Sequence, residues 1–511
     1  MKKQTKWLLI LSIIMLTSCN NWLDMETIGS KTTENYIKDY ESAVNAYNGV
    51  HQTFLNLYSG DYQVMLDIIT DDAFTPSHVD APAIKTFDKL QISEGSGAEY
   101  YSTLYTGITR INTALDEIAK LEEHKDYEQI KMVKGQLLFM RGFFYFTLVK
   151  LYGEVPILPL VKNINDTKQP RASFEKLYEL IEQDIKEAAG LMPDALTNKK
   201  GLEYGKPYKY VAYACLSDFY IYFEKWFEAD QYLDLIIGSD KFDKADYLTV
   251  FNQEDDVLGV TYSTAYNKEV IWDAYYDIAG KQVFTWRYTP MGRHDNRSGY
   301  GLSVIYCTQN DLDIHNDEGG ITPYRGKDGG LGIIDEFEDG DRRLAELFWV
   351  DDVVTPNVSG YWGVIKYDGK SYATQSTLNY PVYRYAEILL MKAEVENELG
   401  DIGAAKNIIN NDIRSAADLE PISPQTKEQM REAIFKERRL ELAFEAKRFF
   451  DLNRRGLATE YLEDKQVSVS KGGLSTHEIT NPITGKKNFV FSLPKAEINA
   501  NPYIEQNNPG Y

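Results

Sequence analysis

Between Leu137 and Leu151 the chain is apolar on nearly every side of a helix, yet Arg141 stands within this stretch. A helix with no polar face belongs in an interior. An arginine on such a helix needs an acceptor there, because charged side chains avoid burial unless paired. Residues 126–152 are therefore expected as one long buried helix, ended by Gly153-Glu154-Val155-Pro156. That helix requires a body thick enough to surround it.

Helical periodicity supplies the rest of that body. Tyr36, Tyr40, Ala43, Ala46, Tyr47 and Val50 share one face of a helix over 34–58. Leu104, Ile108, Ile111, Leu115 and Ile118 do so over 100–122. Residues 173–191 read as amphipathic helix, and 206–223 with 226–238 as a helical hairpin. Between about 241 and 380 Gly, Asp, Asn, Tyr and Trp dominate, with short strand-like runs such as Val270-Ile271-Trp272. Helices return at 381–399, 402–415 and 427–452, and 485–511 reads as an extended tail with turns. The expected class is mainly α, built of helix pairs with a loop-rich insertion that carries short strands. The hairpins suggest tetratricopeptide units, but no 34-residue period is visible, so ordinary α-hairpins stay open beside degenerate repeats. No Pro-, Gly- or Ser-rich linker divides the chain.

The first residues bear on compartment. Lys2, Lys3 and Lys6 precede the apolar stretch Trp7 to Leu16, which is too short to span a bilayer. Leu16-Thr17-Ser18-Cys19 then resembles a bacterial lipobox. Residues 1–18 are read as a lipoprotein signal peptide and Cys19 as the lipidated first residue of the mature protein. An ordinary secretory signal is the other reading. Cys215 lies in an apolar run, and pairing with Cys307 stays open.

Chemistry is mostly excluded. The net charge of −22 gives no global attraction for nucleic acid. Gly363 and Gly369-Lys370-Ser371 miss the phosphate-loop spacing, and neither GxSxG nor HExxH occurs. The six histidines are scattered without metal-ligand spacing. Asp311, Asp313, Asp317 and Glu318 do not follow the calcium-loop order and read as a solvated acidic loop. No cofactor, metal site or catalytic residue is assigned, and the chain is read as a non-enzyme. Charges within apolar helices read as a structural ion-pair network: Arg141, Arg384, Glu387, Glu437, Arg438, Glu441 and Arg448.

These segments carry a resemblance. Arg141-Gly142-Phe143-Phe144-Tyr145-Phe146 through Leu151-Tyr152-Gly153-Glu154-Val155-Pro156, Tyr383-Arg384-Tyr385-Ala386-Glu387-Ile388-Leu389-Leu390, and Glu437-Arg438-Arg439-Leu440-Glu441-Leu442 through Asp451-Leu452 resemble the signatures of the SusD/RagB family of Bacteroidetes. Asp341-Arg342 and the ending Gln506-Asn507-Asn508-Pro509-Gly510-Tyr511 are similar too. The proline the family places soon after Asp24 is missing. The resemblance spans Cys19 to Tyr511 and implies one domain over 19–511. Its parts are a helical part (19–240), a variable lobe (241–380), and C-terminal helices with a tail (381–511).

The resemblance also implies a scaffold of four tetratricopeptide-like helix pairs and a lipid anchor in the outer membrane, facing outward. It implies an oligosaccharide ligand from a polysaccharide-utilisation system and a SusC-like TonB-dependent transporter as partner. A RagB-like peptide-binding lipoprotein is the alternative. The family's ligand residues follow no motif, so chemistry nominates candidates here. Aromatic rings stack on the apolar faces of sugars while Asn, Asp and Arg bond the hydroxyl rim. Two loop regions offer this mixture: Tyr62, Phe74, Tyr100 and Tyr101 in one, Trp286, Tyr288, Arg293, Asn296 and Tyr300 in the other. Trp362 is a third candidate. Each aromatic has core packing as its competing role, and Trp272 is expected in a strand core.

Overall fold

The computed structural model describes residues 36–58, 61–74, 82–194, 205–245, 250, 267–275, 306–307, 313–315, 321–323, 332–351, 361–364, 366, 380–463 and 477–511.

Helix α1 (Tyr40–Tyr58) is followed by the short α2 (Tyr62–Ile68) and α3 (Pro82–Asp88). Then come α4 (Ala98–Ala119), α5 (Tyr127–Tyr152), α6 (Phe174–Leu191), α7 (Lys209–Tyr222) and α8 (Trp226–Ile237). After the loop-rich stretch and the short α9 (Arg342–Leu347) the chain forms α10 (Tyr385–Leu399), α11 (Ile402–Ile408) and α12 (Lys427–Glu441). The short α13 (Arg448–Arg454), α14 (Ala458–Glu463) and α15 (Lys495–Ala500) complete the helices.

Among the described residues the long helices pack as successive pairs: α1 on α4, α5 on α6, α7 on α8, and α10 on α11. Each pair also touches the next, through α4–α5, α6–α7 and α8–α10. This is the stacking that a tetratricopeptide-like scaffold requires. One apolar core runs through the stack from Ile37 to Ile504, and a smaller one sits between α10, α11 and α12 around Leu390, Ile409 and Ile434.

Helix α5 is buried on every side from Gly135 to Tyr152 apart from the half-buried Arg141. Its close neighbours explain two glycines. A Cβ on Gly142 would lie 2.6 Å from Ile185 of α6, and one on Gly107 of α4 would lie 2.3 Å from Phe144 of α5. Helix α5 stops at Gly153, whose φ of +72° favours a residue without a Cβ.

The strands are short and form two-stranded antiparallel pairs. β1 (Ala73–Phe74) meets β3 (Tyr306–Cys307), and β2 (Val270–Ala274) meets β8 (Tyr380–Arg384). The other pairs are β4 (Asp313–His315) with β5 (Ile321–Pro323), β6 (Phe348–Asp351) with β7 (Tyr361–Val364), and β9 (Glu478–Thr480) with β10 (Lys487–Phe489). Trp272 on β2 is buried as expected. Its ring stacks on Phe54 at 4.6 Å, and its indole N–H donates to Gly205 O at 3.0 Å.

Three expectations need correction. The helix expected from 381 starts only at Tyr385, because the β-branched and aromatic run Tyr380-Pro381-Val382-Tyr383-Arg384 pairs with β2 instead. The helix expected over 402–415 changes at Ile409 into π-helical turns that run to Arg414. The helix expected over 427–452 is broken between Glu441 and Arg448, where Phe444 (φ +59°) and Ala446 (φ +56°) are left-handed. The cause is tertiary. Lys366 Nζ donates to Glu441 O at 3.3 Å and to Ala443 O at 2.9 Å, and Arg384 Nη2 donates to Glu441 O at 2.6 Å. Cationic side chains from distant segments thus satisfy carbonyls that a continuing helix would bond through its own N–H groups.

The tail is stitched down by asparagine side chains. Asn508 Nδ2 donates to Tyr152 O at 2.8 Å and to Phe491 O at 2.7 Å, and Asn501 Nδ2 donates to Gln169 O at 2.9 Å. This end was expected as extended with turns, and it also contains the short α15.

Candidate functional site

Several described segments of the loop-rich lobe are tied to the helical body at the end of α12, through buried ion pairs. Arg384, fully buried, sits at its centre. Its Nη1 donates to Glu269 Oε1 at 2.6 Å and to Glu441 Oε1 at 2.9 Å. Its Nε and Nη2 each donate to Glu445 at 2.8 Å. Glu269 lies just before β2, so one guanidinium ties the lobe's first strand to α12. Lys366 reaches the same carboxylate, Glu445, at 2.5 Å.

The segment 332–347 is clamped beside it. Arg343 bonds Asp341 at 2.8 Å and Glu437 of α12 at 2.9 Å. Arg414, re-aimed by the π-helical turns, bonds Glu437 at 2.6 Å and Glu338 at 2.8 Å. Next along, Arg439 donates to Asp72 at 2.7 Å and Arg448 to Asp71 at 2.8 Å.

Burial opposes the charges of Arg384, Glu445 and Lys366, and the balance with their partners differs from one to the next. Burial alone would lower the Arg384 guanidinium, but Glu445, Glu441 and Glu269 hold it well above its ordinary value. Burial alone would raise Glu445, but Arg384 and Lys366 bring it below the usual carboxylate range. For Lys366 burial wins and lowers the ammonium, with Glu445 opposing. Such groups gain little net stability from being buried, and their consequence is register: one geometry satisfies them all.

The remaining members of the expected network are also paired. Arg141 grips Asp184 of α6 through two bonds of 2.7 and 2.8 Å and donates to Asn112 of α4 at 2.9 Å, so it joins three helices. Glu387 accepts from Lys447 at 2.8 Å. Arg438 bonds Asp451 at 3.0 and 3.1 Å, and Asp451 also accepts from Arg454. Among the partners, Asp341 is marked in the sequence only by the family resemblance, and Glu269, Asp71, Asp72, Lys366 and Arg414 carry no signal there. They sit in unremarkable local sequence, and only the fold brings them together.

The aromatic ligand candidates divide. Tyr62, Tyr100 and Tyr101 are core residues rather than loop platforms, being 4%, 5% and 4% exposed. Tyr62 and Tyr100 meet edge to face at 5.3 Å, and Tyr101 meets Tyr152 at 5.2 Å. Tyr62 belongs to α2 and the other two to α4, so the expected loop is helical at both ends. These three rings offer no face to a ligand. Phe74 lies in β1 opposite Tyr306, and Trp362 lies in β7 opposite Val350. Trp286, Tyr288, Arg293, Asn296, Tyr300 and Cys19 lie outside the described residues.

Among the described residues, partly exposed rings gather along α7 and α8. Tyr210 meets Tyr213 at 5.7 Å, Tyr213 meets Tyr232 at 5.5 Å, and Tyr210 meets Phe242 at 5.5 Å. Sequence reading passed over this row because its members occupy ordinary helix positions. A cavity of about 50 Å³ lies between α5, α7, α10 and α13, lined by Lys150, Asp218 and Glu387 among others. Ligand pockets run to roughly 300–1,000 Å³, so this one is too small for a sugar ring.

Cys215 is a free, buried thiol that burial pushes up to about 12. Among the described residues no group of three or more His, Cys, Asp or Glu side chains could hold a metal ion. Nor is any helix among them long and apolar enough to cross a membrane.

Comparison with known proteins matches two family models to the two ends of the chain. The model described as "SusD family" covers residues 358–511, and that described as "Starch-binding associating with outer membrane" covers residues 21–221. The SusD-like protein P2 of Formosa agariphila is 22% identical over 544 aligned positions, spanning 100% of both chains. A SusD superfamily protein from Bacteroides vulgatus superposes with a TM-score of 0.70 at 24% identity, covering 93% of this chain and 99% of its own. A laminarin-binding SusD-like protein superposes at 0.67 with 22% identity, covering 93% of this chain and 100% of its own. The solved structures establish the fold. The two family models and the full-length relative place this chain in the SusD/RagB family.

Proposed function

We propose that this protein binds oligosaccharide at the outer surface of the cell and passes it to a SusC-like TonB-dependent transporter. The observation that carries the reading is the match of residues 21–221 to the family described as starch-binding and associating with the outer membrane. The laminarin-binding neighbour of the same fold supports it. The lipobox-like Leu16-Thr17-Ser18-Cys19 supplies a lipid anchor. Capture is passive: the chain binds, and the transporter supplies the energy.

The ligand platform in this proposal is the aromatic stretch Trp286, Tyr288, Arg293, Asn296 and Tyr300, with Trp362 as a further candidate. Ring faces take the apolar sides of the sugar, and the amide and guanidinium groups take its hydroxyls. The charge hub at Arg384 contributes rigidity at the lobe's roots, which reduces the ordering cost of binding.

Affinity electrophoresis through gels containing laminarin, starch or other polysaccharides tests the ligand class. Retardation by one glucan that is lost in Trp286→Ala and kept in Tyr213→Ala supports the loop site. Retardation lost in Tyr213→Ala instead would move the site to the α7–α8 row. Co-purification of a β-barrel transporter with the lipidated protein from detergent-solubilised outer membrane tests the delivery step.

A further inference from the structure

The 50 Å³ cavity lies on the seam between the N-terminal and C-terminal helices. From one side Lys150 of α5 and Asp218 of α7 line it, and from the other Glu387 of α10, Arg438 of α12, and Lys447 and Asp451. Pairs form within each half, and a bond crosses between them: Tyr383 Oη of β8 donates to Asp218 at 3.1 Å. Lys150 Nζ reaches Asp218 at 3.3 Å. Lys447 Nζ meets Glu387 at 2.8 Å and donates to Val382 O at 2.8 Å. Arg438 Nε and Nη2 are used on Asp451.

One donor is left over. Arg438 is 5% exposed, and its Nη1 is buried with no acceptor among the described residues. A buried guanidinium nitrogen requires an acceptor, and bonds to charged groups are among the most expensive to leave unmade. Lys150 and Lys447 keep ammonium hydrogens beyond the bonds above, since each carries three. The cavity thus has surplus donors.

Charge decides between an ion and a neutral occupant. The lining cations Lys150, Arg438, Lys447 and Arg454 face the lining carboxylates Asp218, Glu387, Glu445 and Asp451. The local sum is balanced, so a lone anion would sit uncompensated at low dielectric. Volume decides the rest: the space suits a few waters, each needing two to four polar partners, and no organic ligand.

We propose that this cavity binds a small cluster of ordered waters, one of which accepts from Arg438 Nη1. Water meets both demands, because it accepts from the surplus donors and donates to the spare carboxylate lone pairs of Asp218 and Glu387. The two halves of the molecule are then joined at this point by a hydrated polar seam beside the direct bond from Tyr383 to Asp218.

The test is a crystal structure of the mature soluble protein at a resolution that shows ordered solvent, with a second crystal soaked in bromide. The expected result is solvent density ~2.7–3.2 Å from Arg438 Nη1. That density should also contact at least one further lining group, with no anomalous bromide signal in the cavity. A dry cavity in which Arg438 Nη1 turns to a protein acceptor would overturn the proposal. So would bromide bound there.

Discussion

At the scale of single residues, the fold is decided by charges that have no reason to be buried except one another. Arg384 shows this most sharply, because three glutamates from two distant segments converge on it. Arg384→Met leaves Glu269, Glu441 and Glu445 buried with fewer partners. The expected cost is about 3–5 kcal/mol, read as a lower urea midpoint. Arg384→Lys keeps the charge but loses the fork and should fall between the two. Asp451 carries a pH signature. Burial would raise its carboxyl, but Arg438 and Arg454 hold it down from the ordinary 3.8 to about 2. A depressed native pKa contributes stability above the unfolded value and loses it as pH falls through the native one. The contribution is therefore complete above about pH 5 and is lost as pH falls through about 2. Asp451→Asn should flatten the pH dependence of unfolding within that window. The sequence shows that Arg384, Glu441 and Arg448 require partners, since they interrupt apolar helices. It does not show which partners, because Asp71 and Arg448 are 377 positions apart and nothing local marks the pair.

At the scale of elements, periodicity locates helices well where packing and local pattern agree. The buried helix expected over 126–152 is observed as Tyr127–Tyr152, and that expected over 173–191 as Phe174–Leu191. It fails where distant side chains override the pattern, as at 427–452. There the local sequence continues to favour helix, while Lys366 and Arg384 take the carbonyls. Lys366→Met should remove donors from Glu441 O and Ala443 O at a cost of about 1–3 kcal/mol. Faster amide exchange over 442–447, with α5 unchanged, would be the measured sign. Close helix contact gives a second expectation. Gly142→Ala improves helix propensity by about 1 kcal/mol but drives a methyl into Ile185, and such overpacking costs about 1–3 kcal/mol. Net destabilisation in thermal unfolding is the expected outcome. The aromatic candidates Tyr62, Tyr100 and Tyr101 teach the same lesson. A tyrosine looks alike in sequence whether its ring faces a sugar or another ring, and burial alone separates the cases.

At the scale of the whole molecule, the stacked helix pairs form the support on which the described strands of the lobe are held. Glu269, Asp341 and Lys366 of the lobe meet Arg384, Arg343, Glu437 and Glu445 at and beyond the end of α12 in one set of buried ion pairs. The central claim is that those loops capture a glycan. Calorimetric titration of the soluble protein, beginning after Cys19, against panels of oligosaccharides and mixed peptides tests it most directly. The expected result is saturable heat with one glycan class, abolished in Trp286→Ala and absent with peptides. Heat with peptides alone would contradict the claim and make the chain a peptide-capturing member of its family.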